Sequence, residues 1–311
     1  MNPNVTVLLP AYKVTFLQDA IESLLSQTYE NFNLVILDDA SPYDVKSIVD
    51  SFHSTKITYF RNSHNIGGTD LVANWNKAFS YATGELVVLA SDDDLYHPDF
   101  LSTLVKLSEK YPHIDLFHCR VCVINESGEP IFWAPSISEY ESDIDFIYQR
   151  SINRRTQLIP DFMFRRDALK AIGGFVNYPK AWYADEMSVY LLAKGKGVVC
   201  AQETLFFWRT SDHNISSLSN DTMQKAEASV IHIKNMESLL SKLNAKNEKD
   251  RFLLKVLKTK YRNRITQQLI YDMAKSKMVM SFKIMHKWPN LLGSKDKVIF
   301  LIKKMRLLFH I

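Results

Sequence analysis

Along the first hundred positions, short continuous apolar runs alternate with stretches of helical spacing. Val5 to Leu9 is such a run, closed by Pro10-Ala11-Tyr12, and Phe32 to Leu37, Ile57 to Phe60 and Leu86 to Ala90 repeat it. Runs this short that are apolar on both faces read as buried strands of a parallel sheet. Between them, Phe16, Leu17, Ala20, Ile21, Leu24 and Leu25 share one helical face. Pro42 opens a second helix ending near Phe52, and a third runs from about Asp70 to Ala82. A fourth follows Pro98, with Phe100, Leu101, Leu104, Val105 and Leu107 at helical spacing. Strand and helix alternating four times predict a parallel sheet with right-handed crossovers.

The same pattern says where a ligand lies. The second strand ends in Asp38-Asp39 and the fourth in Asp92-Asp93-Asp94. Ligands of open α/β sheets bind beyond the carboxyl ends of the strands. Aspartates are poor strand formers and costly to bury, and adjacent carboxylates repel unless cations or hydrogen-bond donors lie between them. One acidic run is an ordinary solvated turn. Two at equivalent strand ends argue for a shared ligand. The first pair suits hydrogen bonds from a base or ribose; the second suits Mg²⁺ or Mn²⁺ carrying a substrate phosphate. No Gly-x-Gly-x-x-Gly follows the first strand and no Gly-Lys-Ser/Thr loop is present. That argues against a dinucleotide dehydrogenase and a P-loop ATPase.

Beyond Pro98, Leu116 to Ile124 predicts a strand, and Asn125 to Glu129 a turn before Ile131-Phe132-Trp133. Cys119 and Cys122 fall inside that apolar strand with no second cysteine pair, so they read as buried thiols rather than a zinc or redox motif. Ser136 to Asp145 is acidic and expected to be a mobile loop. Arg150, Arg154 and Arg155 are placed to meet an anionic part of a substrate or to coat a helix, and the second is expected. Gly173-Gly174 permits a tight turn. Asp185 opens a helix to about Lys194; an Asp there is commonly an N-cap, and Glu186 beside it competes for any role as a base. Val198 to Phe207 predicts one or two closing strands.

The charge distribution changes the picture of the C-terminal part. The 311 residues are 46% hydrophobic and 23% charged, enough for one large domain and an appendage. The net charge of +4 hides an asymmetry: residues 1–240 hold 20 Lys/Arg against 30 Asp/Glu, and residues 241–311 hold 18 against 4. Helical periodicity dominates from Asp221 onward, and the segments at 252–258 and 297–309 are basic and amphipathic. Such helices can lie on an anionic membrane surface or pack on the body with their charges in water; no motif supports nucleic acid. No basic leader precedes Val5 and no segment reaches the length of a span, so the expectation is cytoplasmic, at most peripheral at the inner face of the cytoplasmic membrane.

Taken together, Pro10-Ala11-Tyr12, Asp38-Asp39-Ala40-Ser41, Asn65-Ile66-Gly67, Gly84-Glu85, Ser91-Asp92-Asp93-Asp94, Gly173-Gly174-Phe175, Asp185-Glu186 and Trp208-Arg209 resemble, in order and spacing, the inverting nucleotide-sugar glycosyltransferases of family 2. The members concerned build bacterial polysaccharides and cell-surface glycans. The resemblance covers roughly residues 4–216 and implies an α/β GT-A fold: a mostly parallel, Rossmann-like sheet flanked by helices. It divides the chain into a catalytic domain, 1–218, and a basic helical region, 219–311. Within the first, 1–98 would bind the nucleotide sugar and 99–218 the acceptor.

The resemblance places Pro10, Ala11, Tyr12, Asp38 and Asp39 around the base, most often uracil, with Asn65, Gly67 and Arg209 also on the donor. Asp92 would lie near the ribose, Asp93 would hold the metal, and Asp185 would be the general base. Trp208 to Ser216 matches a flexible loop over the donor; its His213 is read equally as a metal or phosphate ligand and as a surface residue. The acceptor would be a glycan or lipid-linked hydroxyl. Three departures stand out. Ser91 replaces the first Asp of D-x-D, Lys13 the usual Asn, and Asn74-Trp75-Asn76 the usual Ala-Arg-Asn. The last removes a cation from the diphosphate, leaving Lys13, Arg61 and Arg209 as substitutes. Two other functions compete: a catalytically impaired nucleotide-sugar-binding, membrane-associated protein, and a sugar-1-phosphate nucleotidyltransferase. The second usually has a Gly-rich loop near the N-terminus, which Pro10-Ala11-Tyr12-Lys13 lacks.

Overall fold

A computed structural model describes residues 3–211 and 221–309. The expected alternation is present: β1 (Val5–Ala11), α1 (Leu17–Leu25), β2 (Phe32–Asp38), α2 (Val45–Ser51), β3 (Ile57–Arg61), α3 (Leu71–Phe79) and β4 (Leu86–Leu89). Then come β5 (Leu95–Tyr96), α4 (Phe100–Lys110), β6 (Leu116–Ile124), β7 (Pro130–Trp133), β8 (Tyr140–Glu141) and α5 (Asp143–Ser151). The sheet-bearing part closes with β9 (Phe162–Arg165), α6 (Arg166–Ala171), α7 (Ala184–Ala193) and β10 (Val198–Arg209). Four helices follow: α8 (Thr222–Ser241), α9 (Glu248–Lys275), α10 (Met278–Lys287) and α11 (Ser294–Phe309).

The strands form one sheet in the order β3-β2-β1-β4-β9-β6-β10-β5, with β7 on β6 and β8 on β10. β1 pairs in parallel with β2 on one side and β4 on the other, so the chain order reverses beside β1. That reversal opens a crevice at the carboxyl ends of β1, β2 and β4. β9 runs antiparallel between β4 and β6 and joins the two halves.

The central strands β1, β2 and β4 are almost wholly apolar because both their faces are covered. Val5, Val7 and Leu9 with Leu34, Ile36, Leu86 and Val88 face a core shared with α1, α2 and α4. Leu8, Val35, Leu37, Val87 and Leu89 face the opposite core, with α5, α7, α8 and α9. The C-terminal helices therefore share a core with the sheet. Leu253, Leu254 and Leu257 of α9, in the basic segment, are buried in it, and Tyr261, Ile265, Leu269 and Ile270 continue the stripe. On α11 the pattern inverts: Val298, Leu301, Ile302 and Met305 recur at helical spacing, and all four are exposed. Among the described residues no helix is long and apolar enough to cross a membrane.

Two expectations for the middle of the chain need correction. The acidic stretch is irregular only at 136–139: from Tyr140 it forms β8 and the start of α5, and its acids have partners. Glu139 accepts from Lys110 Nζ (2.6 Å), Glu141 from Arg155 Nε (3.0 Å), and Asp143 from Gly195 N (2.6 Å). Nor do the arginines at 150 and 155 merely coat a helix. Arg155 is paired with Glu141, and Arg150 Nε donates to Glu186 Oε1 (3.0 Å). Arg264 of α9 donates twice to the same carboxylate, at 2.8 and 2.5 Å. Cys119 and Cys122 are buried and unoxidised, as expected of core thiols.

Glu186 is thus a buried carboxylate clamped by two guanidinium groups from distant segments. Breaking a buried ion pair from one side leaves uncompensated charge. Glu186→Gln should lower unfolding stability by about 3 kcal/mol, the low end for buried pairs because the arginines keep some water. Urea denaturation followed by circular dichroism measures this; a loss below about 1 kcal/mol would mean a solvated surface pair.

Candidate active site

The ends of β1, β2 and β4 are knitted together before any ligand arrives. The sheet ladders run one residue past the strands: Asp39 N donates to Ala11 O (2.9 Å), Asn62 N to Asp38 O (2.8 Å) and Ala90 N to Leu8 O (2.7 Å). Beyond them opens a cleft of about 800 Å³. Pro10, Ala11, Tyr12, Lys13, Asp39, Asn65, Gly67, Asp92 and Asp93 line it, with Trp75 of α3 and Trp208 beside them. Most of the donor-side residues named from sequence are therefore in one place.

Each aspartate has a different task. Asp38 is fully buried and does not line the cleft. It accepts from Ser41 N (2.8 Å), Tyr59 Oη (2.6 Å) and Arg61. Asp39, one residue on and facing the other way, lines the cleft and shapes the next loop. Its Oδ1 accepts from Ile66 N (2.9 Å) and Asn62 Nδ2 (2.6 Å), and its Oδ2 from Gly67 N (2.7 Å). A Cβ at Gly67 would lie 2.8 Å from that Oδ2, so only glycine lets the loop approach so closely.

Asp92 ties β4 to β1: its Oδ2 accepts from Tyr12 N and Lys13 N, both at 2.9 Å. Burial, then the neighbouring Asp93 charge, push its pKa up to about 6 despite those donors. Asp94 is buried and accepts from Arg209 N (2.9 Å); burial and Asp93 push its carboxyl well above the usual range. Asp93 takes Lys13 Nζ at 3.0 Å and the Ser91 hydroxyl. Partial burial works against the Lys13 charge, but Asp93, Asp92 and Asp94 outweigh it and raise its pKa.

Among the described residues no three His, Cys, Asp or Glu side chains gather to cage a metal. Asp93 supplies one carboxylate in the cleft. That fits Mg²⁺ or Mn²⁺, which keep waters and are often held by one or two carboxylates plus substrate phosphates, and not a metal held by protein alone. His213 lies outside the described residues.

Arg209 sits away from the cleft surface. Its Nε donates to Asp93 O (3.0 Å) and Nη1 to Glu126 O (2.7 Å), and its guanidinium covers the Phe16 ring at 4.3 Å. Its place is behind the acidic tip, where it holds the backbone of Asp93.

Asp185 lies in the first turn of α7, half-buried and outside the cleft lining, while Lys180, five residues earlier, lines the cleft. The approach to α7 is strained: Lys180, Ala181 and Tyr183 all have positive φ (56°, 54° and 73°). Non-glycine residues in that region cost about 1–3 kcal/mol each and persist where the surroundings dictate them, often at functional sites. Asp185 and Glu186 divide sharply. Burial alone would raise Glu186, but Arg264 and Arg150 outweigh it and hold it well below the carboxylate range. Burial first, then the Glu186 charge, push Asp185 up. Glu186 is committed to its arginines, which leaves Asp185 as the carboxylate of the pair suited to accept a proton.

Sequence reasoning did not single out Lys180, Tyr43, Leu158 or Ile159, all of which line the cleft. Only the Tyr178-Pro179 step before Lys180 offered a signal, as a turn.

A raised pKa sets a sign for pH dependence. A group that must be ionised to take a proton loses function as pH falls through its pKa. Asp185 should therefore titrate above the usual 3.8, with its ionised fraction falling at a correspondingly higher pH. Carboxyl-carbon NMR against an Asp185→Asn reference reads this directly; a midpoint at or below 3.8 would contradict it.

The model for glycosyl transferase family 2 matches residues 6–173. A GalNAc(5)-diNAcBac-PP-undecaprenol β-1,3-glucosyltransferase of Campylobacter jejuni is 32% identical over 130 residues, 40% of each chain. The chain spans about half, or less, of the length of the curated relatives it matches. Two solved structures share the fold. S. aureus TarS, in complex with UDP-GlcNAc, superposes with a TM-score of 0.61 at 16% identity, covering 87% of this chain and 80% of that one. The mannosyltransferase PcManGT from Pyrobaculum calidifontis, in complex with GDP-Man and Mn²⁺, gives 0.59 at 16% identity, covering 100% and 88%. The fold is that of GT-A glycosyltransferases.

Proposed function

The chain belongs to glycosyl transferase family 2 and is a glycosyltransferase, and on that premise we propose that it moves a sugar, with inversion, from a nucleoside-diphosphate sugar to a glycan or lipid-linked hydroxyl. The observation that carries the reading is the single cleft at the ends of β1, β2 and β4, lined by Asp39, Asp92 and Asp93. We assign residues 1–98 to the donor, 99–218 to the acceptor and 219–311 to a supporting helical region. UDP is the first choice of nucleotide from the family's preference. UDP-GlcNAc in TarS and GDP-Man in PcManGT make these two nucleotides the ones to compare. A cell-surface glycan or polysaccharide is the product class, in keeping with the undecaprenol-linked acceptor in the Campylobacter enzyme's name.

In this mechanism Pro10, Ala11, Tyr12 and Asp39 border the base, with Asn65 and Gly67 behind it. Asp92 stands by the ribose. Asp93 would hold Mg²⁺ or Mn²⁺, which when bound supplies positive charge against the leaving diphosphate. Asp185 takes the proton of the acceptor hydroxyl as that oxygen attacks the anomeric carbon from the face opposite the diphosphate. One displacement inverts the centre, and no enzyme nucleophile is needed. The roles of Asp38 and Arg209 follow their contacts: they brace the two acidic tips from behind. Asp185→Asn should reduce transfer by at least about 10³-fold while leaving nucleotide-sugar affinity within threefold. Radiolabelled-sugar transfer and calorimetry measure the two. Turnover retained in the variant would remove Asp185 from this role, and wild-type binding without transfer or hydrolysis would favour the impaired protein.

We also propose that α10 and α11 rest on anionic lipid. Val279 and Phe282 of α10 and the α11 stripe are exposed apolar residues, and Lys283, Lys287, Lys295, Lys297 and Arg306 lie among them. Each Lys or Arg near an anionic surface adds about 1 kcal/mol. The protein should sediment with phosphatidylglycerol vesicles and not with phosphatidylcholine ones, and lose that binding in Phe282→Glu with Met305→Glu. Equal binding to both vesicle types would refute the charge-based contact.

A further inference from the structure

The missing arginine at Trp75 leaves the donor's diphosphate short of a cation, and sequence alone offers Lys13, Arg61 and Arg209. Their surroundings separate them. Arg61 pairs with Asp38 behind the β2 tip and donates to Ser41 O (3.0 Å); it does not line the cleft. Arg209 is buried, with its guanidinium on two backbone carbonyls and an aromatic face. An arginine fixed at three points cannot re-aim without dismantling the Asp93 backbone. Lys13 differs in each respect. Its backbone N–H is fixed on Asp92, its side chain is one-third exposed in the cleft, and its ammonium, 3.0 Å from Asp93 Oδ2, sits at the end of a flexible stem.

We propose that Lys13 is the cation that meets the donor's diphosphate, and that before the donor arrives it is the resident counter-ion of Asp93, competing there with a divalent metal. The proposal rests on the glycosyltransferase reading above and deepens it. Two cations on one carboxylate repel each other, so Lys13 disfavours metal binding to the free protein. A diphosphate brings enough negative charge for both, so metal and nucleotide should bind cooperatively. The ammonium replaces part of what the absent arginine would do, from the segment after β1 rather than from α3.

The test uses the full chain and two calorimetric titrations, MnCl₂ alone, and UDP or GDP in EDTA. Lys13→Gln should bind Mn²⁺ alone several-fold more tightly and the metal-free nucleotide about tenfold more weakly, the latter being the loss of one charge-assisted hydrogen bond. Misfolding cannot produce tighter metal binding, so the opposed signs separate a local effect from damage. Lys13→Arg should restore nucleotide binding, and Lys170→Gln, an exposed lysine outside the cleft lining, should leave both titrations near wild type. Unchanged titrations in Lys13→Gln, shifts of the same sign in both, or an equal loss of nucleotide binding in Lys170→Gln would each overturn the assignment. A wild-type protein that binds neither UDP nor GDP, with or without Mn²⁺, would instead overturn the donor reading on which it stands.

Discussion

Everything at the active end depends on how this protein keeps carboxylates together at the tips of adjacent strands. Adjacent acids repel and lose hydration on burial. The structure answers with backbone amides. Asp92 receives two, from Tyr12 and Lys13; Asp39 receives two, from Ile66 and Gly67; Asp38 and Asp94 receive one each. Apart from Ser41 N, which lies three residues after Asp38 in the same turn, each of those amides belongs to a different segment from its acceptor. The acids therefore act as clasps. They fix the β1, β2, β4 and β10 ends relative to one another, and the cleft is the space those clasps leave open. Asp93 alone is held by side chains only, Lys13 and Ser91, and so is the acid most readily shared with a ligand.

A second clasp operates at the start of α7. Glu186 is gripped by Arg150 of α5 and Arg264 of α9, with His232 Nε2 of α8 at 3.7 Å. Burial first, against the pull of Glu186, leaves His232 with a pKa lowered to about 4, so the imidazole is neutral near pH 7. Its ring stacks on Tyr183, the strained residue that caps α7. The C-terminal helices thus reach the turn that carries Asp185. α8 and α9 thereby pack against the entry to α7, where Tyr183 holds a left-handed backbone that its own preferences disfavour.

The sheet was legible from sequence because a parallel sheet buried on both faces leaves a signal that needs no partner: continuous apolar runs between helical stripes. The alternation of the first four strands with their helices followed from the same runs. Which acid of each pair faces the ligand was not legible. Asp38 and Asp39 look alike in sequence, yet strand alternation sends one into the Arg61 and Tyr59 contacts and the other to the cleft. Arg209 read as a donor contact because its motif position is the same whether it faces the sugar or the strand behind. The acidic stretch before α5 read as a loop because its partners, Lys110, Arg155 and Gly195, are distant in the chain or lie on other elements.

That limit has a common physical form. Hydrophobic periodicity is local, so it survives in sequence; charge pairing is a property of the folded surface and is written nowhere in particular. Arg264 lies 78 residues from Glu186 and Lys13 lies 80 from Asp93. Neither pair has a spacing that could be recognised in advance, yet each decides what its carboxylate can do. With two arginines, Glu186 is held ionised and committed, which makes it a brace. With a single flexible lysine, Asp93 is neutralised but not enclosed. The same residue type becomes a brace or an exchangeable ligand according to the number and stiffness of the cations that reach it.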